Sequence, residues 1–156
     1  MKHPAAPLSL GIKLVTGGIL ALGTVFFALS YSTPILFYAG ILLLVISFGC
    51  YLRAPIAYEV SQGVLIVVFR YGSKEFGPIM KCSPVPKKIP FTIRVWGNGG
   101  LFAGTGIYWN KLWGIFRAYV TTSDKSNLVL VETPTQKVVI SPLDAQALIS
   151  DASNTR

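Results

Sequence analysis

The chain has 156 residues, 52% of them hydrophobic and only 13% charged, with 14 Lys and Arg against 6 Asp and Glu for a formal net charge of +8. That charged fraction is about half the ~25% of an ordinary soluble domain, so a uniformly solvated chain is excluded. One histidine and two cysteines leave no material for a zinc site, a disulfide framework or a His-based catalytic centre.

The apolar excess lies in one place. Between Lys13 and Arg53 a window of 39 positions, 14 to 52, contains no Asp, Glu, Lys or Arg. A membrane-spanning helix needs ~20 mostly apolar residues, and the polar break at Tyr31-Ser32-Thr33-Pro34 divides the window into two helices, 12–31 and 35–52. Lys2 and Lys13 mark the start of the first helix and Arg53 the end of the second, whereas the turn is uncharged. The positive-inside rule then puts the N- and C-termini in the cytoplasm, for a multi-pass protein of an inner membrane. Lys2 and the run ending Phe27-Ala28-Leu29-Ser30 also resemble a cleaved signal peptide, a reading that leaves only a few residues before the second helix.

Gly17, Ala21, Thr24 and Ala28 share one face of the first helix, and Gly40, Ser47 and Cys50 recur at comparable spacing in the second. Small residues allow close helix approach, so the favoured expectation is that the hairpin packs on itself; the alternative is docking on a partner's membrane helix. With no ionisable group inside either span, an ion or proton path is disfavoured. His3 lies at a terminus expected to fray, and a bridge between Cys50 and Cys82 is not expected.

Residues 1–53 therefore form a hairpin and residues 54–156 a water-facing domain of short strands. Tyr58 to Val60 and Val64 to Phe69 flank Ser61-Gln62-Gly63, a hairpin turn. Further strands are predicted at 80–85, 89–95, 107–109, 115–121, 128–132 and 138–140, with turns at 71–74, 97–100, 123–127 and 134–136. Ser141-Pro142-Leu143-Asp144 predicts a final helix capped by Ser141, with Leu143, Ala147 and Leu148 inward.

Arg94-Val95-Trp96-Gly97-Asn98-Gly99-Gly100-Leu101-Phe102, Gly104-Thr105-Gly106-Ile107-Tyr108-Trp109-Asn110, Gly114-Ile115-Phe116-Arg117-Ala118-Tyr119-Val120-Thr121 and Val139-Ile140-Ser141-Pro142 occur in that order. Together, over residues 58–151, they resemble the bacterial pleckstrin-homology-like domain family. The resemblance implies an α+β membrane protein whose transmembrane hairpin precedes a PH-like, partly open β-barrel of about seven strands, closed by a C-terminal helix. Phosphoinositide-binding members of the wider superfold carry basic residues in the loop joining the first two strands. Here that loop is Ser61-Gln62-Gly63, which has no cation, so that route is disfavoured.

Gly97 to Gly106 lacks the spacing of a dinucleotide or phosphate loop and is read as a bend in the sheet. Arg70, Lys74, Lys81, Lys87, Lys88 and Arg94 concentrate positive charge in the first half of the domain, suited to an anionic leaflet or a partner. Trp109 and Trp113 add aromatic area beyond the needs of a turn. No nucleophile has a visible activating partner, so no enzyme, cofactor, metal or small-molecule substrate is expected; nucleic acid is disfavoured for want of a motif. The expected function is a membrane-anchored binding module that contacts protein or lipid headgroups. The alternative is an accessory subunit whose helices meet a larger membrane complex or self-associate.

Overall fold

The charge-free window folds as two helices and the alternating runs after it as strands. A computed structural model describes residues 1–86 and 88–154. In chain order it has β1 (Lys2–Pro4), α1 (Leu10–Leu29), α2 (Ile35–Leu52), β2 (Pro55–Ser61), β3 (Val64–Phe69), β4 (Ser73–Pro78), β5 (Lys81–Pro84), β6 (Thr92–Gly99), β7 (Gly104–Asn110), β8 (Gly114–Val120), a 3-10 turn (Lys125–Asn127), β9 (Val129–Glu132), β10 (Lys137–Ile140) and α3 (Ala145–Asn154).

By length and composition both α1 and α2 can cross a membrane. They pack on each other, and their buried residues are Thr16 and Gly23 of α1 and Gly40 and Ser47 of α2. Gly40 seats the Phe27 ring, whose edge lies 3.2 Å from where a Cβ on Gly40 would stand. Phe27 also meets Phe37 edge-on, with ring centroids 5.8 Å apart. Here the expected packing face is corrected for α1: Gly17, Ala21, Thr24 and Ala28 are exposed rather than buried against α2. Gly17 is one position, a turn of ~100°, beyond Thr16, so a stripe through Gly17 lies off the face that carries Thr16, Gly23 and the Phe27 ring seated on Gly40. The Thr24 hydroxyl is satisfied internally, donating to the Leu20 carbonyl at 3.1 Å.

The strands form two sheets, ordered β1-β2-β3-β4 and β5-β9-β10-β8-β7-β6, rather than the expected partly open barrel. The chain changes sheets over two residues. Ile79 N–H donates to the Gly63 carbonyl at 2.7 Å and Met80 N–H to the Glu132 carbonyl at 2.8 Å, which separates β4 from β5 and leaves β4 and β6 as edges. The predicted turn at 71–74 is cut short because β4 starts at Ser73 and runs beside β3. The β2–β3 turn is as expected: Gln62 and Gly63 take φ of 48° and 73°, a two-residue reversal matched to strand twist.

Tyr58, Leu65, Val67 and Phe76 of the first sheet pack against Val129, Val131, Val138 and Ile140 of the second, with Ala145, Leu148 and Ala152 of α3 closing one side. The other face of the second sheet carries a separate cluster of Val85, Phe116, Ala118, Leu128, Leu130 and Val139. Strands β9 and β10 are thus covered on both faces, which explains their unbroken apolar runs. The cap of α3 is Asp144, whose Oδ1 accepts from Ala147 N–H at 3.0 Å. Ser141 instead lies fully buried four residues before the helix, and Leu143 points outward.

The N-terminal residues are woven into the domain, against the expectation of a frayed end. Lys2, His3 and Pro4 pair antiparallel with Glu59, Tyr58 and Ala57. Ala5 and Ala6 N–H groups then donate to the Ile56 and Ser141 carbonyls at 2.9 and 2.8 Å, and Ser9 N–H to the Thr121 carbonyl at 3.1 Å. His3 Nε2 meets Asp151 Oδ2 of α3 at 2.8 Å. The helical hairpin is therefore an insertion between two paired strands, β1 and β2.

Candidate functional site

The site grows from the loop between β6 and β7. Asn98 shapes it: the side-chain oxygen accepts from Gly100 and Leu101 N–H at 3.3 and 2.9 Å while its amide donates to the Leu101 carbonyl. The loop then meets α1, where Thr16 Oγ1 accepts from Phe102 N–H at 2.9 Å and donates to the Gly100 carbonyl at 3.4 Å. Phe102 holds a left-handed φ of 62° and sets its ring edge-on against Tyr51 of α2, 5.3 Å between centroids. Arg70 covers the same tyrosine, its guanidinium carbon 4.4 Å from the ring centre. Both helices are thereby clamped to the second sheet.

Behind the loop, Gly97 of β6 faces Gly106 of β7 directly. Their φ values of 117° and 156° are open to glycine, and a Cβ on Gly106 would stand 2.1 Å from the Trp96 carbonyl oxygen. This pair lets two backbones approach where no side chain fits. The Gly97 to Gly106 segment, expected as a bend in the sheet, is the closing end of the β6–β7 hairpin, with positive φ at Gly97, Gly100 and Gly106.

Between this end of the β6–β7 hairpin, the first sheet and α2 lies a cleft of about 410 Å³. Trp96, Ile107 and Arg117 line it in one cross-strand row; Phe69 and Lys74 come from the first sheet, and Ile46, Gly49, Cys50 and Arg53 from α2. No carboxylate lines it, and among the described residues Arg53, Lys74 and Arg117 make no ion pair. The next row of the same sheet, Ile93 opposite Trp109 opposite Ile115, extends the floor outward as exposed apolar surface. Trp96 is 77% and Ile115 69% exposed, so these are large side chains that the fold leaves uncovered.

The structure divides the residues singled out from sequence. Arg70 and Lys74 lie at the base of the hairpin, and Arg94 lines a second groove with Val15 and Ile19 of α1. Lys81 sits on β5 opposite Glu132, and Lys88 near Lys111 and Leu112, outside both grooves. Lys87 falls outside the described residues. Trp109 is exposed in the apolar row, whereas Trp113 is half-buried and packs edge-on against Phe116 at 5.2 Å. Gly40 and Ser47 are buried and the four small residues of α1 are exposed.

Sequence reasoning passed over Arg53, Trp96 and Arg117 as site residues. A signal for the last existed: Arg117 alternates with Ile115 and Tyr119 on one face of β8, a cation on a row that is otherwise aromatic and aliphatic. Among the described residues no three His, Cys, Asp or Glu side chains converge to hold a metal. Burial pushes the Tyr58 hydroxyl up to about 12, with its bonds to Tyr119 and Ser141 at 2.7 and 3.3 Å keeping it in place.

Two clamped apolar helices and a pair of sheets closed by a terminal helix thus define a PH-like domain with an inserted hairpin. A family model described as Bacterial PH domain matches residues 58–155, more than half of the chain, and the chain belongs to that family. The match leaves β1 and both long helices outside it. Neither the comparison with curated proteins nor that with solved structures returned a match.

Proposed function

We propose that the chain is a non-enzymatic, membrane-anchored binding module of a bacterial inner membrane, its PH domain held at the cytoplasmic face by the two-helix hairpin. The observation that carries this reading is the clamp of Thr16 and Tyr51 on the 98–102 loop. It fixes an exposed apolar row and a basic cleft beside the ends of helices long enough to span a bilayer. Lys13 and Arg53 bracket the charge-free window at that same end, which favours a cytoplasmic domain. Held there, the domain meets membrane partners at high effective concentration, so each contact can be weak.

The test is carbonate extraction and protease protection of the full chain in inverted and right-side-out vesicles, followed by mass spectrometry of what co-purifies in mild detergent. Resistance to extraction with the domain cleaved only in inverted vesicles is expected. Extraction into the soluble fraction overturns the proposal.

A second reading, an accessory subunit of a larger membrane complex, is favoured by one observation. Gly17, Ala21, Thr24 and Ala28 are exposed rather than buried against α2 and leave a smooth surface on α1. A stoichiometric integral-membrane partner that is lost on Gly17→Leu with Ala21→Leu supports it; retention of that partner by the variant sinks it.

A further inference from the structure

We propose that the cleft between α2 and the two sheets is a binding site for one anionic glycerophospholipid; this rests on the reading that the hairpin lies in a bilayer. The lining of the cleft changes from apolar to charged along α2. Along α2, Ile46 marks the apolar end of the cleft and Arg53 the charged end. Seven residues at 1.5 Å of rise separate them, about 10 Å along the helix axis. A lipid in a leaflet changes character in the same direction over a similar distance, headgroup outward and acyl chains inward.

The charged end has the composition such a headgroup needs. Arg53 of the hairpin, Lys74 of β4 and Arg117 of β8 converge from three separate elements, with no carboxylate in the lining to neutralise them. Arg117 is half-buried while Arg53 and Lys74 are exposed, and a phosphodiester that reaches all three supplies the counter-charge together with acceptor oxygens for an arginine fork. Asn98 and Thr105 add neutral polar groups to the lining.

The apolar end suits chains rather than a peptide. Gly49 has nothing within 4 Å of a Cβ position, so α2 presents a shallow channel there, flanked by Ile46, Cys50 and Trp96. The channel runs along a helix that is itself long enough to span the bilayer, so an acyl chain lying in it stays continuous with the hydrocarbon. Basic pockets at the cytoplasmic ends of membrane helices are where anionic headgroups bind, and about 410 Å³ falls within the ~300–1,000 Å³ of small-ligand sites. The site is far from the β2–β3 turn, which carries no cation, and takes its charge from three elements that meet only in the folded chain.

The experiment is native mass spectrometry of the full chain released from detergent micelles, with phosphatidylglycerol or phosphatidylcholine added at equal concentration. A single retained phosphatidylglycerol is expected, with phosphatidylcholine retained at least tenfold less. Lys74→Gln with Arg117→Gln should lower retention roughly 30-fold, about 2 kcal/mol at 1.4 kcal/mol per decade. Lys111→Gln with Lys137→Gln removes the same charge elsewhere and should leave retention unchanged. Thermal unfolding in detergent verifies that both double variants are folded. If the Lys74/Arg117 variant does not fold, Ile46→Trp, which fills the apolar end, replaces it and should abolish the adduct. Equal loss in the Lys111/Lys137 variant, equal retention of the two lipids, or full displacement by 10-fold excess inorganic phosphate overturns the proposal. A protein that resists carbonate extraction yet retains no phosphatidylglycerol fails this inference alone; one that extracts fails the anchoring beneath it.

Discussion

Thr16 and Phe102 lie 86 positions apart and are joined by a 2.9 Å bond from the Phe102 backbone N–H to the threonine hydroxyl. The same oxygen donates back to the Gly100 carbonyl, so one buried side chain on α1 answers two backbone groups of a loop that has no strand to pair with. Thr16→Val keeps the shape and removes both bonds. With the Phe102 N–H left unmet, the expected cost is about 1–3 kcal/mol. A lower melting temperature in detergent and faster cleavage within 97–103 under limited proteolysis are the measurements.

The Gly97 and Gly106 pair gives a sharper contrast. Gly106→Ala drives a Cβ onto the Trp96 carbonyl oxygen, while Gly72, with φ of 82°, has nothing within 4 Å of its Cβ position. Gly72→Ala should therefore cost only the backbone strain, about 1 kcal/mol. Gly106→Ala adds a steric clash with backbone and should lower stability by at least about 3 kcal/mol. Parallel thermal melts of the two variants test the difference, and equal losses would refute the close-approach account.

Tyr58 supplies a pH dependence whose sign follows from burial. Its hydroxyl ionises near 10 in the unfolded chain and is raised to about 12 in the fold by desolvation. The unfolded state therefore loses its proton first. The stabilisation is complete below pH 10 and is lost as pH rises from 10 to 12, a fall on the order of 2 kcal/mol. Tyr58→Phe should flatten this part of the alkaline unfolding curve. It should also lower stability at neutral pH by about 1 kcal/mol through the lost bond to the Tyr119 carbonyl.

Ile115 separates binding from folding. At 69% exposure, Ile115→Ser should change stability by less than about 0.5 kcal/mol. If the Ile93, Trp109 and Ile115 row contacts lipid or protein, the same change should reduce association of the full chain with its co-purifying partner or raise the salt sensitivity of that association. Unchanged association would remove this row from the interface.

The helix cap offers a direct comparison of two neighbouring residues. Asp144→Ala removes the bond to Ala147 N–H and should cost about 1 kcal/mol. Ser141→Ala should cost more. Its hydroxyl accepts from Thr121 N–H at 2.8 Å and lies within 3.3 Å of the Tyr58 hydroxyl, all fully buried. Circular dichroism melts of the two variants rank them.

How much of this was legible in the sequence depended on whether the deciding contact was local. The helices were visible because a charge-free window is a property of consecutive residues, and the β2–β3 hairpin because Gln62-Gly63 carries its own turn geometry. Strand β4 was hidden: Ser73-Lys74-Glu75-Phe76-Gly77-Pro78 has one large apolar side chain, the composition of an edge strand. Strand β1 was hidden for another reason. Three residues, Lys2, His3 and Pro4, become a strand only because Ala57 to Glu59 arrive beside them after the whole hairpin has been crossed. The split into two sheets in place of one partly open barrel follows from the change at Ile79 and Met80, whose bonds go to opposite sheets. The cleft was the least legible part. Arg53, Lys74 and Arg117 are widely spaced along the chain, and only the splay of two sheets against α2 brings them together.

Because β1 is zipped to β2 on the far side of the hairpin, the two helices cannot swivel on a flexible stalk. The chain reaches α1 through residues 5–9, which bond to the Ile56, Ser141 and Thr121 carbonyls, and returns from α2 into β2, so a tilt of the helix pair strains bonds to both sheets. The orientation of the cleft relative to the helix axes is thus set by ladder bonds and by Thr16, with no linker to average it away. With the helices in a bilayer as proposed, a thinning or thickening of that bilayer would act on the domain as a lever acts on its fulcrum.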